Sequence, residues 1–398
     1  MQEKNWDIII GGSGPAGATA GTLLSQYGYK VLILERDSHP RFHIGESMLP
    51  MSEPVFQRLG VQWDCSEYLP KGGAEFVDEK LGASFRFGLN SRFQPYQVER
   101  AKFDEMMIKN AVAHGATLHE KEKILAVDCR EDGVSVGTDK GEYTARYFID
   151  ATGRSSFMGR KHKGIDRISN LGKFSLYTHY SNMISPEAEA MFASGDIKIL
   201  MLDIGWFWVI PLVNKRLSLG IVVQKDIPAE ERKPELFEHR VAESPFLQKL
   251  LKGAKQETGI KAEADFSFSN HCRHGLRYAC CGDSAGFLDP VFSSGAFLAV
   301  TSAERVADRI HQGFEEGREA DPELHKVDDA AHELGFHSMR LFVERFYQSN
   351  MVHNMFFAAE KDERVKNDIT QILSGNLWAG NNAFQQTLLD SRRANSAS

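Results

Sequence analysis

The residues with the clearest chemistry lie near the start of the chain, where a glycine-rich segment follows an apolar run. Gly12, Gly14 and Gly17 form a GxGxxG pattern between the apolar residues 8–10 and a segment typical of a helix. In such a turn the first glycine permits a tight reversal, the second lets a pyrophosphate approach the backbone, and the third lets helix and strand pack closely. The helix N-terminus presents free N–H groups to the phosphates. The pattern therefore predicts a dinucleotide site.

An acidic residue stands at the distance that this prediction requires. Glu35 ends a second apolar run, residues 31–34, where a carboxylate can bind ribose hydroxyls. An acid at this position disfavours a 2′-phosphate, so the pattern argues against NADP. Pro15 and Ala16 begin the intervening helix and are expected beside the phosphates.

Two more apolar runs end in residues suited to ligand binding. Residues 145–149 lead into Asp150 and Gly153, and residues 278–281 lead into Gly282 and Asp283. In open α/β folds, ligands bind at the carboxyl ends of the strands. A carboxylate at a strand end can accept hydrogen bonds from hydroxyl groups, although Asp283 is equally suited to cap a helix.

The elements that must position these residues indicate a mixed α/β fold. Residues 1–170 and 270–320 are expected to form a discontinuous nucleotide-binding domain. Residues 70–100 and 171–269 are rich in alternating strand patterns and predict an inserted, mainly antiparallel sheet, with residues 229–251 helical. Residues 321–398 are expected to be helical and to end in a polar, frayed tail from residue 390. Core aromatics are predicted there at Phe356 and Phe357, and Phe266 is expected to share a strand face with Phe268.

Composition excludes several classes of protein. The 398 residues carry a net charge of -7, which gives no basic surface for nucleic acid. No apolar run approaches the roughly 20 residues of a membrane span. The five cysteines fit neither a zinc site nor a disulfide framework, so no metal is expected and a reducing cytoplasm is predicted.

The three glycine-containing motifs together resemble the FAD-dependent monooxygenase superfamily, which has the p-hydroxybenzoate hydroxylase fold. The matching segments are the GxGxxG turn, residues 151–153 and residues 282–283. The resemblance implies a GR2-type Rossmann-like domain that binds FAD, with Asp283 on the ribityl chain. The cofactor-binding residues that it implies are Gly12, Gly14, Pro15, Ala16, Gly17, Glu35, Arg36, Arg41, Ile44, Gly45, Glu46, Ser47, Arg100, Asp150, Gly153, Gly282, Asp283, Pro290 and Gly295.

A pair of tryptophans points to one branch of that superfamily. Trp206 and Trp208 lie two residues apart in a predicted strand and therefore face the same side. Residues 205–211 resemble the WxWxIP motif of flavin-dependent halogenases, and residues 289–295 resemble the flavin-adjacent segment of phenol and pyrrole halogenases. The resemblance implies that the tryptophans keep the flavin from reaching the substrate directly, which suppresses hydroxylation. The other interpretation is a buried aromatic stripe.

The resemblance also implies a reaction path. Reduced FAD, O₂ and chloride or bromide give hypohalous acid, which a lysine receives and delivers as electrophilic halogen to an electron-rich ring. The halide is expected at the backbone of Ser294 and Gly295, just before a predicted helix from residue 296. Lys71 aligns with the catalytic lysine of the family. Lys80 is a rival, because an insertion of about ten residues follows Lys71, and a solvated surface lysine is the other interpretation.

The expected reductase and substrate follow from positions where this chain differs from other members of the superfamily that it resembles. Hydroxylases that bind NADPH carry an Asp-Gly motif where this chain has Thr152-Gly153, and no second GxGxxG occurs. A separate flavin reductase is therefore expected to supply reduced FAD. Phe292 stands where tryptophan halogenases have an acidic residue, so a phenol or pyrrole is expected as substrate, either free or tethered to a carrier protein.

Two other functions fit the same motifs. The first is a flavin-dependent monooxygenase or prenyl reductase-like oxidoreductase of the same fold without halogenase activity. The second is a non-catalytic flavin-binding protein, which needs the Gly282-Asp283 seat but no lysine. The joint presence of Trp206, Trp208 and Lys71 favours the halogenase.

Overall fold

Four sheets and a set of helices make up the part of the chain that the computed structural model describes, which is residues 5–89, 91–168, 171, 174–224, 226–264, 267–348 and 362–396. The strands are β1 (Asn5–Gly11), β2 (Val31–Leu34), β3 (Leu69–Pro70), β4 (Gly73–Asp78), β5 (Ala83–Gly88), β6 (Tyr96–Gln97), β7 (Thr117–His119), β8 (Ile124–Arg130), β9 (Gly133–Thr138), β10 (Glu142–Asp150), β11 (Ile165–Arg167), β12 (Phe174–Ser181), β13 (Ile197–Met201), β14 (Gly205–Leu212), β15 (Arg216–Val223), β16 (Lys255–Gln256), β17 (Lys261–Ala264), β18 (Phe268–Asn270), β19 (His274–Gly275), β20 (Tyr278–Cys280) and β21 (Gly286–Phe287). The longer helices are α1 (Pro15–Gln26), α2 (Glu53–Arg58), α3 (Arg100–Ala113), α4 (Phe157–Lys161), α5 (Pro186–Ser194), α6 (Pro234–Glu243), α7 (Pro245–Leu250), α8 (Ser294–Glu315), α9 (Lys326–Gln348), α10 (Glu363–Leu373) and α11 (Ala383–Ser396).

The first sheet holds the glycine turn. Its main path runs β19-β20-β10-β1-β2-β7, and β1 pairs in parallel with both β10 and β2. Residues 8–10 and 31–34 are buried, as expected for parallel strands covered on both faces. Helix α1 packs against α3 and α8. The arrangement brings the carboxyl ends of β1, β2, β10 and β20 to one edge of the sheet.

The second sheet forms a wall beside that edge. Its path is β16-β12-β15-β14-β13-β4-β5, with β17 paired to β12, and only the β13–β4 pairing among them is parallel. Alternate side chains of β14 belong to two different hydrophobic cores, because successive side chains of a strand point to opposite faces of the sheet. Trp206 and Trp208 pack with aromatic residues of α9, whereas Phe207 and Val209 pack under α6 and α7.

Several local predictions need correction. Residues 229–251 do not form one helix: α6 ends before Ser244, whose hydroxyl caps α7 by accepting a hydrogen bond from the Leu247 N–H at 3.1 Å. Pro245 begins α7, where its missing N–H costs nothing. Helix α8 begins at Ser294 rather than residue 296, and α11 continues through Ser396 rather than fraying from residue 390.

Some predictions remain without a structural answer. Phe266, Phe356 and Phe357 lie outside the described residues. The domain boundaries stay predictions, although the second sheet does draw its strands from residues 73–88 and 174–264. Across the described ranges, helices long enough to span a bilayer lack the apolar composition to do so.

Candidate active site

The glycine turn between β1 and α1 forms one end of the site. Gly12 has φ of +98°, and a Cβ there would collide with the Ala151 carbonyl oxygen. A Cβ on Gly17 would collide with the Gly12 carbonyl oxygen, so Gly17 lets α1 approach β1. Gly14 differs, because the nearest atom to its would-be Cβ is Arg41 Nη2 at 3.6 Å. The space over Gly14 is therefore open to a ligand, as a pyrophosphate contact requires.

Glu35 closes this end of the site as a buried carboxylate. It accepts hydrogen bonds from the Ser13 N–H at 3.0 Å and the Ser13 hydroxyl at 2.6 Å, and Arg41 Nη2 lies 3.4 Å away. Burial alone would raise its pKa, but the Arg41 charge and the Ser13 hydrogen bonds outweigh burial and lower the pKa to about 2. Glu35 is therefore ionised at neutral pH and able to accept from ribose hydroxyls.

The segment after β2 is anchored by buried charges. Arg100 donates to the Ile44 carbonyl at 2.9 Å and pairs with Asp104 at 2.8 Å, and Arg41 shares that aspartate at 3.4 Å. Glu46 accepts from His179 at 3.0 Å, which ties the same segment to β12 of the second sheet. The sequence motifs pointed to Arg100 and Glu46 but not to Ile44 and His179 as their partners, since a single sequence does not reveal contacts between segments 56 or more residues apart.

The motif after β10 uses its aspartate differently from the prediction. The Asp150 carboxylate accepts from the Thr152 N–H at 3.0 Å and the Met158 N–H at 2.7 Å, and it is fully buried. Asp150 thus holds the turn in shape, while Gly153, with φ of +62°, faces the ligand edge. A carboxylate that accepts backbone N–H groups in this way stabilises a loop rather than a ligand.

Asp283 follows Gly282 after the end of β20, beside the glycine turn. Gly282 has φ of +64°, and a Cβ there would lie 2.8 Å from the Ala16 Cβ, so the two glycine motifs meet. Burial raises the pKa of the Asp283 carboxyl to about 6, against the opposing effect of Arg154 and Arg100. No hydrogen bond to this carboxylate is formed by the described residues, which leaves both oxygens able to accept from a polyol chain.

A cavity of about 810 Å³ joins these groups. It extends from Glu35, over Gly14, to Asp283 and on to the tryptophans. Along this path Glu35 suits the ribose of FAD, the open space over Gly14 suits the pyrophosphate, and Asp283 suits the ribityl chain. The residues therefore fit FAD. Every predicted cofactor, halide and tryptophan position lines the cavity except Gly17 and Asp150. Lys71 also does not line the cavity and lies behind its wall, where the amine contacts the Met48 carbonyl next to Ser47.

The two tryptophans form the far wall. Their ring centroids lie 6.2 Å apart, and Trp208 donates to the Ser218 hydroxyl at 3.1 Å. A Cβ on Gly220, which faces Trp208 across the β14–β15 pairing, would collide with the Trp208 ring. Trp208 is thus held in a fixed orientation, and both indoles lie between the cavity and the aromatic residues of α9.

Helix α8 directs its N-terminus into the cavity. Ser294 and Gly295 are in its first turn, not before the helix as predicted. Ser293 precedes them with φ of +54°, and its side chain caps none of the first-turn N–H groups. A helix of 22 residues that presents uncapped N–H groups to a cavity offers a place for a small anion.

Lys71 and Lys80 differ sharply in environment. Lys71 is only 5% exposed, and its amine donates to the Met48 carbonyl at 3.2 Å, directly behind the cavity-lining Ser47. Burial lowers its pKa to about 7, against the opposing charge of Asp196. Lys80 is exposed in the turn between β4 and β5. An amine that is about half neutral near pH 7 can act as a nucleophile, whereas a solvated ammonium cannot.

The Tyr347 hydroxyl belongs to the site although no sequence motif marks it. The Trp206 indole N–H donates to the Tyr347 hydroxyl at 2.7 Å, and that hydroxyl donates to Asp289 at 2.7 Å. Asp289 also accepts from the Val291 N–H at 3.0 Å, in the turn that leads to α8. Tyr347 thus links the tryptophan wall to the segment before α8. The sequence offered no signal for it, since it resembles the other aromatics of the C-terminal region.

The fold and the cavity define an α/β flavoprotein. Comparisons with known proteins give the family. A family model described as tryptophan halogenase matches residues 88–388, and a model of NAD(P)-binding Rossmann-like domains matches residues 9–63. The chain belongs to the tryptophan halogenase family. It is a flavin-dependent halogenase, an enzyme that uses FAD and a halide, which confirms the resemblance, the fold class and the cofactor inferred from the motifs.

Individual relatives agree with this assignment. The chain is 26% identical to a 1H-pyrrole-2-carbonyl-peptidyl-carrier protein chlorinase of Pseudomonas fluorescens, covering 96% of this chain and 91% of the relative. It is 30% identical to a corresponding brominase of Pseudoalteromonas luteoviolacea, covering 78% of this chain and 79% of the relative. The structure of the flavin-dependent brominase Bmp2 superimposes with a TM-score of 0.87 at 24% identity, over 99% of this chain and all of the other, and shows the shared fold.

Proposed function

We propose that this enzyme halogenates an electron-rich aromatic ring of the phenol or pyrrole type, and that Lys71 delivers the halogen. The observation that carries the proposal is the buried Lys71 amine, which contacts the Met48 carbonyl behind the cavity wall and has its pKa lowered by burial to about 7. The exposed position of Lys80 argues against the rival lysine. Keeping a lysine out of water costs stability, which favours a functional reason for its burial.

The chain's own residues divide the work. Reduced FAD, when bound, supplies with O₂ the oxidising power that converts halide into hypohalous acid. The first-turn N–H groups at Ser294 and Gly295 hold the halide, because they are uncapped donors at a positive helix end. Trp206 and Trp208 keep the aromatic substrate away from the flavin and so suppress hydroxylation.

Lysine chemistry then completes the reaction. The neutral amine either donates a hydrogen bond to hypohalous acid or takes its halogen. In the second case an N–halogen bond forms, the O–halogen bond breaks, and water leaves with the amine proton. The aromatic ring next attacks the halogen, and the ring proton returns to the amine. Only the unprotonated amine has the lone pair for this transfer.

The relatives support a pyrrole ring on a carrier protein as one form of the substrate, because two of them are named for that substrate. Phe292, buried against Phe342, replaces the acidic residue of tryptophan halogenases and supports an apolar ring over free tryptophan. Since Thr152-Gly153 replaces the NADPH-linked Asp-Gly motif, a separate flavin reductase is proposed as partner.

The experiment is product formation in a reconstituted system. Purified protein with FAD, a flavin reductase, NADH, O₂ and bromide or chloride is given free phenols, free pyrroles and pyrrole-2-carbonyl groups loaded on a carrier protein. Mass spectrometry is expected to detect a halogenated ring in at least one of these classes. Reoxidation of reduced FAD with no halogenated product from any class, with either halide, overturns the proposal.

A further inference from the structure

The two glycines after Lys71 allow a carboxylate to approach the lysine backbone. A Cβ on Gly72 would lie 2.7 Å from Asp196 Oδ1 and would collide with the Ser194 carbonyl oxygen. A Cβ on Gly73 would lie 3.3 Å from the same carboxylate oxygen. Any larger residue at Gly72 would therefore push the loop before β13 away from Lys71. The two glycines of the Lys-Gly-Gly sequence therefore leave the space that Asp196 and the Ser194 carbonyl occupy.

Arg86 occupies both oxygens of that carboxylate. Its Nε lies 2.6 Å from Asp196 Oδ2, its Nη2 lies 2.9 Å from Oδ1, and Nη2 also donates to the Gly72 carbonyl at 3.2 Å. The Arg86 side chain is half exposed, whereas Asp196 is buried. A two-point pair of this kind fixes both position and orientation of the carboxylate. Asp196 therefore turns toward β5 and the surface.

The Lys71 amine consequently lacks an ion-pair partner among the described residues and donates to the neutral Met48 carbonyl at 3.2 Å. Asp196 is the charge that acts on it, and it favours the ammonium form. The other carboxylates on the neighbouring segments have partners of their own, Glu75 with Lys198 and Glu46 with His179. The charge state of Lys71 thus depends on how firmly Arg86 holds Asp196.

We propose that Arg86 is a positioning residue for Lys71, because its guanidinium holds the Asp196 carboxylate away from the lysine amine and so keeps that amine free of a counter-ion. The inference rests on the catalytic role proposed for Lys71. Loss of Arg86 leaves a buried carboxylate without its ion-pair partner, and the charge of that carboxylate favours the ammonium form of Lys71. The amine then becomes an ammonium at neutral pH and loses its lone pair.

The test compares Arg86→Leu, Asp196→Asn and the double variant in the FAD-loaded enzyme. Halogenation and FAD reoxidation are followed as functions of pH. An opposite charge released beside a titrating group shifts its pKa by about 1 unit or more, so Arg86→Leu is expected to move the rising limb of halogenation upward by about one pH unit. At pH 7 the rate then falls about fivefold, since the neutral fraction falls from about one half to about one eleventh.

Asp196→Asn leaves the limb at or below its wild-type position, and the double variant returns it there, because the released charge is gone. If the ion pair is purely structural, all three proteins are expected to be less stable, and the rising limb of halogenation against pH is expected to stay where it is in wild type. Arg86→Gln, which removes the charge but keeps a polar side chain at the surface, replaces Arg86→Leu if that variant does not fold. An unmoved limb in a folded Arg86 variant whose Lys71 pKa is also unchanged overturns the inference.

A direct titration separates this inference from the proposed function. Lysine labelled with ¹³C at Cε is followed by NMR in the FAD-loaded enzyme, and the Lys71 signal is assigned by its loss in Lys71→Arg. If the Lys71 pKa rises in Arg86→Leu but halogenation keeps its pH dependence, Arg86 has the proposed effect and Lys71 is not the halogen carrier. If the Lys71 pKa does not change, the inference about Arg86 is overturned.

Discussion

The pH dependence of halogenation follows from the state of Lys71. Burial lowers the pKa of its amine to about 7 from the ordinary 10.5, with Asp196 opposing the change. If the neutral amine carries the halogen, the usable fraction is about one eleventh at pH 6, one half at pH 7 and ten elevenths at pH 8. The rate of halogenation is therefore expected to rise about tenfold from pH 6 to pH 8.

The assay measures initial rates of bromination of an accepted ring across this range, with FAD reoxidation recorded in the same reaction. Recording both separates the lysine step from flavin chemistry, because only the first requires the amine. Lys71→Arg provides the sharpest variant, since a guanidinium stays protonated throughout. It is expected to lose at least about 100-fold in bromination. Lys80→Arg, in the exposed turn, is the matched control and is expected to match wild type.

Two results would refute this reasoning. One is a bromination rate that does not vary between pH 6 and pH 8 while substrate and halide are saturating. The other is a limb centred near the ordinary lysine pKa of 10.5, which would mean that Lys71 is solvated in the working enzyme. Either result removes the buried amine as the source of reactivity.

The remaining predictions concern the cofactor seat, the tryptophan wall and stability. Gly14→Ala is expected to leave the melting temperature unchanged and to weaken FAD binding about tenfold or more in a fluorescence titration. Gly17→Ala overpacks α1 against β1 and is expected to lower the free energy of unfolding, measured in urea, by about 1–3 kcal/mol. Equal effects of the two alanines on stability would contradict this. Tyr347→Phe removes the hydroxyl that joins the tryptophan wall to the segment before α8 and is expected to lower halogenated product per NADH consumed, with peroxide making up the difference. Tyr29→Phe, which removes a hydroxyl that pairs with His311 in the C-terminal part of α8, is the control, and equal yields would argue against the link. Because burial lowers the pKa of Lys71, the unfolded chain binds a proton between about pH 7 and 10.5 that the folded chain does not, so stability rises with pH in that window by up to about 1.4 kcal/mol per unit. Lys71→Met is expected to flatten this rise in urea unfolding curves, and an unchanged slope would contradict it.

Local patterns in the sequence were sufficient for much of the fold. The strand predicted around Trp206 and Trp208 is β14, and the glycines of the GxGxxG turn occupy positions where a side chain would collide or would cover the ligand space. These features depend on residues close together in the chain, where periodicity and backbone freedom leave clear signals. The cofactor FAD and the halogenase assignment were predicted from the family resemblance, because matching motifs are more specific than composition.

Contacts between distant segments could not be predicted in this way. Nothing near Trp206 in the chain indicates that Tyr347, 141 residues away, accepts its N–H. Nothing near Lys71 indicates that Asp196 and Arg86 determine its surroundings. Asp150 illustrates the same limit, because a strand-end aspartate suits either a ligand or its own turn, and only the packed structure shows which N–H groups it meets. Long-range pairing depends on which elements pack together, and a single sequence does not encode that in any short pattern.

The most direct measurement of the central claim is the fate of the oxidising equivalents in Lys71→Met. FAD-loaded wild type and variant are given reduced FAD, O₂, bromide and an accepted ring, together with a diffusible halogen trap in a parallel sample. The variant is expected to reoxidise FAD at the wild-type rate and to brominate the trap, yet to leave the ring unmodified. Bromination of the ring by Lys71→Met at the wild-type rate would contradict the claim that this lysine delivers the halogen.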